Sequence, residues 1–155
     1  MEPSTEPSVR AYVRLVRSAE RLHALVSRGL TEHGLSASQF SAMKVLRLHG
    51  KLAQRDIAKH ILKSGGNITI LVDNLETLGL VRRDRDTVDR RITYVQLTPE
   101  GERLFDEIYP PHLARIRDAM GALNDHECET LLGLLEKISP EAVEACPPSE
   151  VAATA

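Results

Sequence analysis

Residues 52–101 read LAQRDIAKHILKSGGNITILVDNLETLGLVRRDRDTVDRRITYVQLTPEG, and this stretch decides the fold. Ala53, Ile57, Ala58 and Ile61 recur at the spacing of one buried helical stripe, so a first short helix is expected over 53–62. Ser64 stands where an N-cap belongs, ahead of a second stripe of Ile68, Leu71, Val72, Leu75 and Leu78. Gly79 is placed to end that helix in a left-handed turn. The face left free presents Gly65, Asn67, Thr69, Ile70 and Asn74. Gly65 and Gly66 at a helix entrance cost helix stability, but they let the backbone come close to a phosphate or a base edge.

Two short strands follow, over 80–83 and 92–97, the second with period-two alternation. Between them lies a polar link, 84–91, that carries Arg85, Arg90 and Arg91. Arginine suits phosphates and the negative potential of a narrow minor groove. An isolated charged hairpin is ordinarily a solvated loop. Directly behind a helix-turn-helix pattern, it reads as a second DNA-contacting element.

On SGGNITILVDNLETLGLV, on the D-x-R formed by Asp89, Arg90 and Arg91, and on LTPEG at 97–101, the chain resembles the MarR family of winged helix-turn-helix transcriptional regulators, over roughly 35–135. The resemblance implies that Arg91 reaches DNA from the wing, that Asp89 holds it in place, and that Arg90 is the variable residue between them. Asp89 and Arg91 are two apart, so in an extended segment they project to one side, where the carboxylate can hold the guanidinium. The recognition helix departs from the family pattern. Gly65, Gly66 and Asn67 replace the usual middle residues, and Ile70 stands where a polar or basic residue is common. The DNA-facing set is therefore Ser64, Gly65, Gly66, Asn67, Thr69, Ile70, Asn74, Arg85, Asp89, Arg90 and Arg91.

Composition fits one modest domain. A hydrophobic share of 42% in 155 residues is enough for a core, and with only 3% aromatics the packing falls to Leu, Ile and Val. No apolar run approaches the roughly 18 residues of a membrane span, and the opening MEPSTEPS is unlike a signal peptide, so a cytoplasmic protein is expected. The net charge of −2 hides a division. Residues 41–91 hold eleven Lys or Arg against six Asp or Glu, and the rest hold nine against sixteen. The local field, not the total, is what DNA phosphates meet.

Outside the core the helical stripes continue. Residues 9–32 read as a long helix with Val9, Tyr12, Val13, Val16, Ala19, Leu22, Val26 and Leu30 on one broad face, ended by His33 and Gly34. Ser36 and Gln39 form a capping box for a helix carrying Phe40, Met43, Val45, Leu46 and Leu48. Thr98 and Pro99 open a helix through Leu104, Phe105 and Ile108, which Pro110 and Pro111 are expected to bend or break. A last helix, capped by Asn124 or Asp125, aligns Cys128, Leu131, Leu132, Leu135 and Ile138. These terminal helices need cover for their apolar faces. An intramolecular bundle in a monomer would supply it, and so would pairing with a second copy, which the resemblance implies.

The expected architecture is mostly α with a small β-wing, dimerised through the N- and C-terminal helices. Residues 9–139 form one domain, with a winged helix-turn-helix core at about 36–98 and dimerisation helices at about 9–33 and 99–139. Residues 1–8 and 140–155 are expected to be flexible tails. Such a homodimer would set two recognition helices into successive major grooves of a pseudo-palindromic duplex.

Other chemistry has thinner support. His23, His33, His49, His60, His112 and His126 never place a second ligand at i+4, no H-E-x-x-H occurs, and no nucleophile elbow is present, so neither a metal nor a catalytic centre nor a cofactor is expected. The resemblance implies control by a small acid, typically phenolic or otherwise aromatic, bound between the dimerisation helices and the DNA-binding lobe, and release of a repressor by it. Tyr12, His33, Phe40, Met43, Arg47 and Tyr109 are the candidate lining. Two alternatives stand beside this. One is a thiol switch at Cys128 or Cys146, although 9–16, VRAYVRLV, lacks the cysteine that the peroxide-sensing branch carries near the start of its first helix. The other is a ligand-binding helical dimer without specific DNA binding.

Overall fold

Pro7 at its first position, where no amide donor is needed, opens helix α1 (Pro7–Thr31), inside the stretch expected to be tail. The computed structural model describes residues 6–61, 65–89 and 91–140. Ser64, Arg90 and Cys146 lie outside the described residues, as do 1–5 and 141–155 of the expected tails. After α1 come α2 (Ala37–His49), strand β1 (Leu52–Ala53), α3 (Gln54–His60), α4 (Gly65–Thr77), β2 (Val81–Arg85), β3 (Thr93–Leu97), α5 (Pro99–Met120) and α6 (Asp125–Ile138).

Local chemistry sets the helix boundaries. The Ser36 hydroxyl accepts the Gln39 amide at 3.2 Å while the Gln39 side chain accepts the Ser36 amide at 2.7 Å, the capping box read from the sequence. Asn124, rather than Asp125, caps α6 in a second such box with Glu127. Gly79, at φ +71°, takes the left-handed conformation that ends α4.

The three strands form one antiparallel sheet in the order β1-β3-β2, with Leu52 opposite Val95 and Arg83 opposite Val95 on the other side. β1 corrects the expectation of a single helix over 53–62. Leu52 and Ala53 are taken by pairing with β3, and the helix begins only at Gln54. That pairing is made with residues about forty positions away, so local periodicity carries no trace of it.

The core is a single cluster beneath the sheet and helices, including Leu30, Phe40, Met43, Ile57, Leu75 and Val95. The LTPEG turn ties α5 to it. The Thr98 hydroxyl donates to the Gly79 carbonyl at 2.6 Å and accepts the Gly101 amide at 3.1 Å, and the Thr98 amide donates to the Leu80 carbonyl at 3.0 Å. A side chain at Gly101 would collide with the Leu80 carbonyl, so this helix entrance requires glycine.

Pro110 and Pro111 do not break α5, which runs through them to Met120. The carbonyls that lose a donor belong to Asp106 and Glu107. Both residues are exposed, so water can take the place of the missing amides. α5 packs along α1. No residue of α6 is buried, and Val9, Tyr12, Val13, Leu132, Leu134 and Ile138 are exposed on α1 and α6. Among the described residues, no helix is long and apolar enough to cross a membrane.

Candidate nucleic-acid interface

α4 buries Ile68, Leu71, Val72 and Leu75 and leaves Asn67, Thr69, Ile70 and Asn74 exposed, Ile70 at 61%. Exposure of these four is what the helical periodicity of the sequence predicts. Gly65 and Gly66 form its first turn. On one flank a groove of about 330 Å³ separates α4 from the start of α2, lined by Ser36, Ser38, Gln39, Asn67, Ile70 and Asn74. On the other, a groove of about 670 Å³ separates α4 from the wing, with Gln54, Arg55, Thr69, Arg83, Arg85 and Arg91 on its walls.

Arg83 joins the two walls of the larger groove. Its guanidinium contacts Asp73 at 2.7 Å and Glu76 at 2.7 Å, donates to the Gln54 side chain at 3.2 Å, and reaches the Thr69 carbonyl at 3.4 Å. Its backbone amide donates to Glu76 at 3.2 Å. Gln54 in turn donates to the Thr69 hydroxyl at 2.9 Å, so Thr69 serves this brace as well as the exposed face. At 21% side-chain exposure, Arg83 is more sheltered than either carboxylate it pairs with. Sequence reading missed it. The available signal was two carboxylates three apart on one helix face, Asp73 and Glu76, followed by an arginine in the next strand.

The tip of the wing is held by carboxylates that accept main-chain amides. Asp86 accepts from Val88 at 2.7 Å and from Asp89 at 2.8 Å, and these bonds hold its carboxyl below the usual range. Asp89 accepts the Arg91 amide at 3.0 Å, and its carbonyl accepts the Ile92 amide at 3.0 Å. This departs from the expected extended segment in which the Asp89 carboxylate would grip the Arg91 guanidinium. β3 begins only at Thr93, and an Asx-type turn takes the carboxylate first.

The charges of this face are therefore sorted. Each carboxylate of α4 and the wing is engaged: Asp73 and Glu76 by Arg83, Asp84 by Lys51 at 3.2 Å, Asp86 and Asp89 by main-chain amides. Arg85 and Arg91, on the walls of the larger groove, are exposed and form no ion pair with another described residue. A surface of free guanidiniums beside tethered carboxylates suits a polyanion.

The six candidate effector residues are not gathered in the same way. Phe40 and Met43 are core residues, Tyr12 is 68% exposed on α1, and His33 is exposed beyond its end. Arg47 is held in a bidentate pair with Asp106 at 3.1 and 3.3 Å. Tyr109 stacks on Phe105 at 5.0 Å. Neither groove is lined by any of the six. The unforeseen residue of this region is His112, whose ring lies 4.7 Å from that of Phe40 and whose Nδ1 is buried without a hydrogen-bond partner. Burial pushes its pKa down, and the nearby charges of Arg115 and Lys44 push the same way. Its spacing, three beyond Tyr109 and seven beyond Phe105, was the signal available. Cys128 is half-buried on α6. His49 and His60 stack at 4.8 Å, but among the described residues no group of three or more His, Cys, Asp or Glu is placed to hold a metal.

A model of the MarR family matches residues 33–92. The HTH-type transcriptional regulator MhqR of Bacillus subtilis (strain 168) is 30% identical over 134 residues, covering 86% of this chain and 92% of that protein. A structure of BpsR from Bordetella bronchiseptica, described as showing how 6-hydroxynicotinic acid regulates its DNA binding, superimposes with a TM-score of 0.77 at 27% identity, over 84% of this chain and 98% of that one. A mutant MarR from E. coli complexed with operator DNA gives a TM-score of 0.80 at 21% identity, over 89% of this chain and 100% of that one, a likeness of fold.

Proposed function

Since the chain belongs to the MarR family of DNA-binding winged helix-turn-helix transcriptional regulators, which are not enzymes, we propose that it works as a cytoplasmic homodimeric repressor released from a pseudo-palindromic operator by a small aromatic acid. The observation that carries the DNA-reading part is the sorted charge around α4 and the wing. Free Arg85 and Arg91 flank a helix whose exposed Asn67, Thr69 and Ile70 offer an adenine-pairing amide, a hydroxyl and an apolar contact for a thymine methyl. Ser64, Gly65, Gly66, Asn74 and Arg90 complete the proposed contact set. Asp89 acts within it by shaping the wing.

The division into a core at 36–98 and dimerisation helices at 9–33 and 99–139 is supported by the apolar residues that α1 and α6 leave exposed. Release by an aromatic acid is supported by the ligand that regulates DNA binding in BpsR. The effector region is placed at the junction of α1, α2 and α5, around Tyr109 and His112. Tyr12, His33, Phe40, Met43, Arg47 and Tyr109 are its proposed lining, which a ligand would have to bring together, since Phe40 and Met43 are core residues and Arg47 is held by Asp106.

Binding to the duplex upstream of the chain's own gene, measured by fluorescence anisotropy near physiological salt, tests the reading. Affinity at least about 10³-fold above that for random duplex is expected, with release on adding an aromatic carboxylic acid. Equal affinity for both duplexes would leave a ligand-binding dimer without specific DNA recognition.

A further inference from the structure

α1 carries five arginines on a single line. At the roughly 100° per residue of an α-helix, Arg10, Arg14, Arg17, Arg21 and Arg28 fall within about 60° of one another, a stripe about 27 Å long. All five are exposed, and none forms an ion pair with another described residue. The stripe lies away from the side on which Leu22, Val26 and Leu30 meet the rest of the subunit. Neighbours three and four apart, such as Arg10 with Arg14 and Arg17 with Arg21, repel each other, so the stripe disfavours the isolated helix.

α6 carries the opposite pattern. Asp125, Glu129 and Glu136 fall within about 40°, are exposed, and form no ion pair with another described residue. Each stripe borders apolar residues without cover, Val9 and Val13 beside the arginines and Leu132 beside the carboxylates. The spacings also agree. Arg10, Arg14 and Arg21 repeat the steps of Asp125, Glu129 and Glu136 for helices running in the same direction, and Arg10, Arg17 and Arg21 repeat them for opposed helices.

From these we infer that the arginine stripe of α1 docks on the acidic stripe of α6 from a second copy of this chain, so that opposite charge sets the register of the dimer. The inference rests on the homodimer proposed above and adds to it the residues that choose the partner surface. Within one chain the two stripes leave each other unpaired, and a second copy presents both again. Apolar contacts supply most of the association, and the charges select register and partner.

Sedimentation equilibrium on the full chain provides the test. The wild type is compared with Arg14→Glu/Arg17→Glu/Arg21→Glu, with Glu129→Arg/Glu136→Arg, and with an equimolar mixture of the two variants. The expected wild type is a dimer whose Kd rises several-fold between about 50 mM and about 500 mM salt. Each variant alone is expected to raise Kd at least about tenfold at low salt, and the mixture to recover a heterodimer within about threefold of wild type. Recovery in the mixture also excludes misfolding as the cause of the loss. Variants that dimerise like the wild type, or a mixture that stays as weak as its parts, would overturn the pairing while leaving the homodimer standing. A monomeric wild type would overturn both.

Discussion

The carboxylate of Asp89 holds the main chain of Arg91, accepting its amide at 3.0 Å, while the two side chains form no ion pair. The aspartate therefore orients the wing arginine by fixing the turn that carries it. This distinction can be measured. Asn keeps an acceptor oxygen in the same place and removes a negative charge from a DNA-facing loop, so Asp89→Asn is expected to bind operator at least as tightly as wild type. Asp89→Ala loses the turn bond and is expected to bind about 2- to 10-fold more weakly, the worth of about 0.5–1.5 kcal/mol. If Asn binds as poorly as Ala in an anisotropy titration, the carboxylate charge itself is what matters.

The Arg83 brace makes a prediction of the opposite kind. Arg83 is fastened to Asp73, Glu76 and Gln54, so its charge is spent within the protein. Arg83→Ala frees two carboxylates beside the DNA face and unties the wing from α4. Operator affinity is expected to fall about tenfold or more, with the slope of log K against log salt changed by less than about one counterion. Lysine, a point charge without the planar fork, is expected to recover only part of the loss. A slope reduced by a full counterion at unchanged thermal stability would mean that Arg83 touches phosphate.

The sequence was most readable where a structural device is local. Ser36 with Gln39, Thr98 with Pro99, and Gly79 each declare a helix boundary through atoms within four residues, and each stands where it was expected. β1 was invisible because Leu52 and Ala53 owe their conformation to Val95 and Tyr94. Of the two outcomes expected of the α5 prolines, the break does not occur, because the cost of a lost amide depends on whether the orphaned carbonyl meets water, which only the packed structure decides. The site divides along the same line. Exposure of Asn67, Ile70 and Asn74 follows from helical periodicity, whereas the brace of Arg83 spans 29 residues to Gln54 and has no periodic signature.

His112 ties stability to pH. Burial, then Arg115 and Lys44, lower its pKa in the folded chain, so folding favours the neutral ring. The stabilisation is complete above the unfolded value near 6.5, and it is lost as pH falls from there toward the lowered folded value, because the unfolded chain takes up the proton first. Urea unfolding at about pH 8 and about pH 5.5 is expected to show a loss for wild type that is smaller in His112→Leu. A leucine also leaves no polar atom like the unpartnered Nδ1 of His112, so the variant is expected to be no less stable than wild type at the lower pH. Parallel losses in the two proteins would assign the pH dependence to other groups.

Asn67 distinguishes reading of sequence from mere attachment. Its side chain is exposed at the start of α4, on the wall of the groove shared with Ser36 and Gln39, beside Ile70 at 61% exposure. Its amide can pair bidentately with adenine, an interaction that a wrong base cannot return. Asn67→Ala is expected to weaken operator binding by about 1–3 kcal/mol and to leave binding to random duplex nearly unchanged, so the ratio of the two affinities falls about 5- to 150-fold. Ile70→Ala is expected to lose less, and to lose it only on operators that place a thymine methyl against this face. If both duplexes weaken equally when Asn67 is removed, its amide meets phosphate, and specificity must be sought at Asn74 on the next turn of the same face.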